Sequence, residues 1–184
     1  MRLIQRDLHQ QLRAESIAAR ERIAALVRPI DAARLNEHPE PEGWSIGQVL
    51  EHLVIADELY DAPYASLLAR APHDAGAALR EWKSSLIGGM IAGSLLKPKP
   101  LKGPKVFRPG PTPRGGVVEA LLSRELRFVQ AMDDASSLDW RKLRIGSPAL
   151  PRWAPKMNLG DGFRIHVVHV TRHSKQIERL AGKL

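Results

Sequence analysis

Residues 97–116 hold six prolines and four glycines. No regular helix or strand can run through such a stretch, because proline lacks the amide proton and glycine resists ordering. The chain is therefore cut into segments that must pack back on one another around a long irregular connection. A connection of this length in a compact fold serves either as a lid or rim of a site, or as a solvated connector.

The segments on either side carry apolar residues at helical spacing. The first runs over about residues 5–27, with Leu8, Leu12, Ile23 and Leu26 among its apolar positions and Pro29 just beyond. An acidic, Pro-rich link, residues 37–43, follows. Ser45 and Gln48 then fit a capping box, and Trp44 and Val49 stand where a hydrophobic staple would sit. That second helix should continue through Ile55 and Leu59 towards Tyr60, with Pro63 kinking or ending it. A Gly-rich helical piece is expected over 77–96. A further helix is expected over 116–132, with Val117, Val118, Leu121, Leu122, Leu126 and Val129 on one broad face. Residues 139–159 look irregular again. The last helix spans about 161–180, with Gly182 as its stop. No strand pattern competes and no internal repeat is visible. The expected fold class is all-α, a bundle with long irregular connections, in one domain covering residues 1–184.

Composition narrows the function. The chain has 184 residues and no cysteine. Disulfides, thiolate metal sites and a cysteine nucleophile are excluded, and a metal would need nitrogen and oxygen ligands. The charged N-terminus is not a secretory signal. The longest apolar run, 84–96, is broken by Gly88, Gly89 and Gly93 and falls short of the roughly 20 residues of a membrane span. A cytoplasmic protein is expected. The net charge is +8, but basic and acidic residues alternate in the helices. Only 97–116 is purely basic, and it lacks the interleaved aromatics of a single-strand binder. Nucleic acid is not the expected partner.

The last helix contains His166, His169, His173, Gln176 and Leu180 at 3-4-3-4 spacing, which lines one stripe. Ile165 and Leu180 fall within the stripe, whereas Arg164, Arg172, Lys175 and Arg179 collect to one side, so the stripe should follow the edge of the interior. His169 and His173, four apart, can reach one ion with bonds of about 2 Å. Most histidine pairs at this spacing are surface or satisfied core residues, but buried unpaired imidazoles would be poorly satisfied here. On the second helix, His52 shares a face with Val49, Ala56 and Leu59. One inward histidine there plus two on the last helix make a three-nitrogen set with a position left open. Glu51 and Asp57 turn away from His52 by about 100° and 140° on an ideal helix and read as surface residues. His9, His38 and His73 stand in charged or Pro-flanked contexts and read as solvated. His166 reads as a hydrogen-bond partner behind the ligands, a spare ligand or a packed residue. Ser45 and Ser174 have no base to form a hydrolase triad with.

The segment Gly43-Trp44-Ser45-Ile46-Gly47-Gln48-Val49-Leu50-Glu51-His52-Leu53 resembles the opening of the second helix in the DinB superfamily, the DNA-damage-inducible, YfiT-like four-helix bundles. The run from His166 to Ile177 resembles that superfamily's final helix, which carries a His-x-x-x-His pair followed by Gln. The resemblance implies a metal triad of His52, His169 and His173, with nickel or zinc as the usual ion. It implies hydrolase chemistry or thiol-dependent transferase or isomerase chemistry, with no catalytic residue marked. The substrate would be a small molecule, anionic or thiol-containing, drawn by the basic 97–116 loop. Members often pair through their bundle faces, which makes a homodimer the assembly the resemblance suggests. The alternative is a non-enzymatic, stress-related binding protein with a structural or vestigial metal site, docking through 84–96 and the basic loop beside it.

Overall fold

A computed structural model describes residues 2–97 and 103–184. Four long helices form a bundle: α1 (Gln5–Val27), α3 (Ile46–Leu68), α5 (Val117–Asp134) and α6 (Leu159–Ala181). A one-turn helix α2 (Ala32–Leu35) lies between the first two, and a shorter α4 (Leu86–Leu95) lies against α6. Helix α1 packs chiefly on α6 and α5, and α3 on α5 and α6. The all-helical expectation holds, and α1 spans the residues its periodicity outlines.

The buried residues of α1 recur every three or four positions: Leu8, Leu12, Ser16, Ala19, Ile23 and Val27. Across the bundle such stripes build two apolar clusters. One gathers Ile23, Ile46, Leu50, Leu53, Leu121, Val170 and Ile177. The other gathers Leu8, Leu12, Trp82, Met132, Trp140, Leu159 and Phe163. The start of α3 is set by the capping box. Ser45 Oγ accepts from Gln48 N at 3.1 Å, and Ser45 N donates back to Gln48 Oε1 at 3.1 Å. Ser45→Ala should cost about 1 kcal/mol, read as a lower midpoint in urea unfolding.

Several expectations need correction. Pro63 does not end α3, which continues to Leu68; Pro63 sits on the exposed side of the helix, where a missing amide costs least. Residues 77–96 are not one helix. They form a 3₁₀ turn at Ala77–Leu79, a strand β2 (Glu81–Lys83) and then α4. β2 pairs antiparallel with β1 (Arg2–Ile4), with Leu3 opposite Trp82. This pairing drives Trp82 fully inside. A second small pair, β3 (Arg144–Ile145) with β4 (Met157–Asn158), lies within the stretch expected to be irregular. The face of α5 is also rotated from the expected one. It buries Val117, Leu121, Glu125, Val129 and Met132, and Leu126 is 53% exposed.

Helix α6 begins two residues earlier than expected because Asn158 caps it. Asn158 Oδ1 accepts from Asp161 N at 2.9 Å and from Trp82 Nε1 at 3.0 Å. Glycine is required on both sides of this joint. A Cβ at Gly160 would stand 2.3 Å from Trp82 Nε1, and one at Gly88 would stand 2.1 Å from Asp161 Cγ. Buried Asp161 in turn accepts from Ser85 N at 2.8 Å and Ser85 Oγ at 2.6 Å, which ties the start of α4 to α6.

Candidate metal centre

His52 projects from α3, and His169 and His173 project from successive turns of α6. The bundle brings the three together: one ring nitrogen from each lies within 4.8 Å of the others. His52 Nε2 and His169 Nε2 are 2.9 Å apart. The ring centroids of the three imidazoles lie 4.7 to 4.9 Å from one another, close to edge-on. Trp44, whose ring centre is 5.0 Å from that of His52, forms an apolar wall.

The hydrogen bonds decide which nitrogens are free. His52 Nδ1 lies 2.7 Å from the Phe107 carbonyl oxygen. A carbonyl only accepts, so Nδ1 carries the proton and Nε2 keeps its lone pair. His173 Nδ1 likewise donates to Gln176 Oε1 at 2.8 Å, which frees its Nε2. Ligating histidines are commonly held this way, with the second nitrogen bound to a carbonyl or carboxylate. Burial then keeps the rings neutral. It pulls His52 below its ordinary pKa, against the opposing pull of the Phe107 carbonyl. His169 is pushed well down, first by burial and then by His173 and His52. His173 falls to about 3, again mainly through burial. Neutral imidazole is the form that binds metal. The donor set therefore fits a divalent ion, and this buried cluster can hold one.

The described part of the Pro-rich connection, residues 103–116, reaches this centre through Phe107 while most of its residues stay exposed to solvent. Besides Phe107, it is held by Gln48, whose Nε2 donates to Gly110 O at 3.1 Å. Arg114 binds Glu51 through Nε at 2.9 Å and Glu58 through Nη1 at 2.6 Å. Glu51 is thus buried and paired, contrary to its surface reading. Residues 98–102, with Lys99 and Lys102 of the basic stretch, lie outside the described residues. Lys105 and Arg108 on this connection are exposed.

His166 does not join the triad. It lies between Asp57 and Glu125 and stacks on Phe128, ring centres 3.5 Å apart. Asp57, expected at the surface, keeps only 10% of its side chain exposed. The 117-121-125-129 stripe of α5, apolar at its other three positions, carries Glu125 inside, and Asp57 of α3 faces it across His166. His9 is not solvated as expected: its side chain is 17% exposed, 2.7 Å from Asp133 Oδ1 and edge-on to Trp140. His38 and His73 are exposed as expected. Ser174 Oγ donates to Thr171 O at 2.9 Å, and Ser45 is occupied as a cap.

Fold and site together define a helical bundle with a buried three-histidine cluster, drawn from two helices, that can accept a divalent ion. The sequence matches the DinB superfamily over residues 17–177. The chain belongs to that superfamily. No curated protein and no solved structure matches it. Among the described residues, no helix is long and apolar enough to cross a membrane.

Proposed function

We propose that the protein holds one nickel or zinc ion through His52, His169 and His173 and is a metal-dependent enzyme acting on a small anionic or thiol-containing substrate. The reaction is hydrolysis or a thiol-dependent transfer or isomerisation. The observation that supports this best is the arrangement of the rings: His52 and His173 have Nδ1 engaged by acceptors, and one nitrogen from each of the three rings lies within 4.8 Å of the others. An ion bound there supplies Lewis acidity towards a substrate oxygen or sulfur. The protein's own contribution is geometric and dielectric. Phe107 and Gln176 orient the rings, Trp44 limits water, and exposed Lys105 and Arg108 attract negative charge. Three protein ligands leave room for a fourth partner, which suits turnover better than a purely structural site.

A binding role without turnover draws support from α4. Its Leu86 is 84% exposed and Met90 63%, an apolar face suited to a partner or a membrane surface. The two readings separate on a Co²⁺-loaded sample. Its visible spectrum should change when a small thiol or azide is added. An invariant spectrum would point to a closed, structural site and count against the enzyme.

A further inference from the structure

The two apolar clusters are parted by a polar layer to which every long helix contributes. Ser16 of α1 stands between Leu12 and Ala19, and Asp57 of α3 between Val54 and Tyr64. Glu125 of α5 stands between Leu121 and Phe128, and His166 of α6 between Phe163 and Val170. His166 Nδ1 is 3.4 Å from Asp57 Oδ1, and its Nε2 is 3.2 Å from both oxygens of Glu125. The side chains of Asp57 and Glu125 are only 10% and 1% exposed.

This layer is short of positive charge. Even a fully protonated His166 sets one cation against two buried carboxylates, and net buried charge is costly. Arg124, the neighbouring cation, is committed elsewhere: Nη1 donates to Asp61 at 2.7 Å and Nη2 to Glu58 at 3.1 Å. The strain shows in the titration of Asp57, whose carboxyl burial pushes up to about 7 against the pull of His166. It shows again in unmet hydrogen bonds. Among the described residues, the buried side-chain atoms without a hydrogen-bond partner are Ser16 Oγ, Asp57 Oδ2 and Glu125 Oε1. All three belong to this layer.

We propose that Asp57, Glu125 and His166 form a second divalent-metal site, separate from the three-histidine centre and selective for a harder ion such as Mn²⁺ or Fe²⁺. One ligand atom from each residue lies within 4.8 Å of the others. Two carboxylates match the charge of one divalent ion, and His166 then serves as a neutral nitrogen ligand. The two-oxygen, one-nitrogen donor set suits Mn²⁺ and Fe²⁺ better than the all-imidazole set does. Side chains on facing helices are the usual source of ligands for metals in bundle cores. The ligands come from α3, α5 and α6, so an ion here would brace the bundle at the seam between its two cores.

The test is a Mn²⁺ titration of the full chain near neutral pH, followed by the electron paramagnetic resonance signal of free Mn²⁺. Wild type and the His52→Ala, His169→Ala double variant should each take up one equivalent. Glu125→Gln and Asp57→Asn, each checked for helicity by circular dichroism, should bind at least tenfold more weakly. If either substitution prevents folding, the other carries the comparison. Absence of saturable uptake by wild type overturns the proposal. So does uptake lost in the histidine double variant, or uptake retained in both carboxamide variants. Because the double variant lacks the histidine centre, failure of that centre does not enter this result.

Discussion

Phe163→Ala should destabilise the protein by about 3–5 kcal/mol, the usual cost of emptying a fully buried aromatic position. Phe163 has no exposed surface. Its ring lies parallel to Tyr64 at 5.5 Å and meets Trp140 edge-on at 4.8 Å and Phe128 at 5.8 Å. These neighbours come from α3, α5 and the 139–159 connection, and each is fixed by its own backbone. The bundle therefore cannot close over the cavity, and the loss falls at the high end of large-to-small substitutions. Urea unfolding should show a lower midpoint with an unchanged slope, and the melting temperature should fall by roughly 2–4 °C per kcal/mol. Leu126→Ala, on the exposed side of α5, should stay within about 0.5 kcal/mol of wild type. A large loss at Leu126 would mean that α5 is rotated from the orientation described.

The second large effect is on metal affinity. His169→Ala should weaken nickel or zinc binding by more than about 100-fold, because it removes a ligand and not merely a residue behind one. His169 Nε2 lies 2.9 Å from His52 Nε2, and without it two nitrogens remain, too few to enclose a site. Gln176→Ala leaves all three rings in place but frees His173 Nδ1, so its cost should lie in the range of about 10–100-fold found for such supporting partners. Competition with a chromophoric chelator measures both. Equal losses at His169 and Gln176 would argue that the variants act through the fold.

Much of the architecture was legible because the apolar spacing and the caps agree. Helix α1 shows its full length in its Leu8-Leu12-Ile23 pattern. The start of α3 is announced by Ser45, Gln48 and Trp44. His52, His169 and His173 come together because their faces are the apolar faces of their helices, and helix periodicity carries that information. What escaped the sequence depends on contacts between distant segments. Trp82 lies in a strand only because Leu3, some eighty residues earlier, pairs with it, and nothing local to 77–96 signals this. The continuation of α3 past Pro63 likewise reflects packing of Tyr64, Leu67 and Leu68 against the second cluster, which overrides a local breaker. Asp57 and Glu51 read as surface residues by angle from His52. Yet one faces a carboxylate and an imidazole from other helices, and the other meets Arg114 from the Pro-rich connection. Charge type is a poor guide to burial when the partners are non-local.

The central claim is that His52, His169 and His173 hold a metal. Its most direct test is elemental analysis of the untagged protein after exposure to nickel and zinc and removal of loose ions, beside the His52→Ala, His169→Ala double variant. The account predicts that bound nickel plus zinc is one equivalent per chain greater in wild type than in the folded double variant. Equal metal content in the two proteins, or none in either, would contradict it.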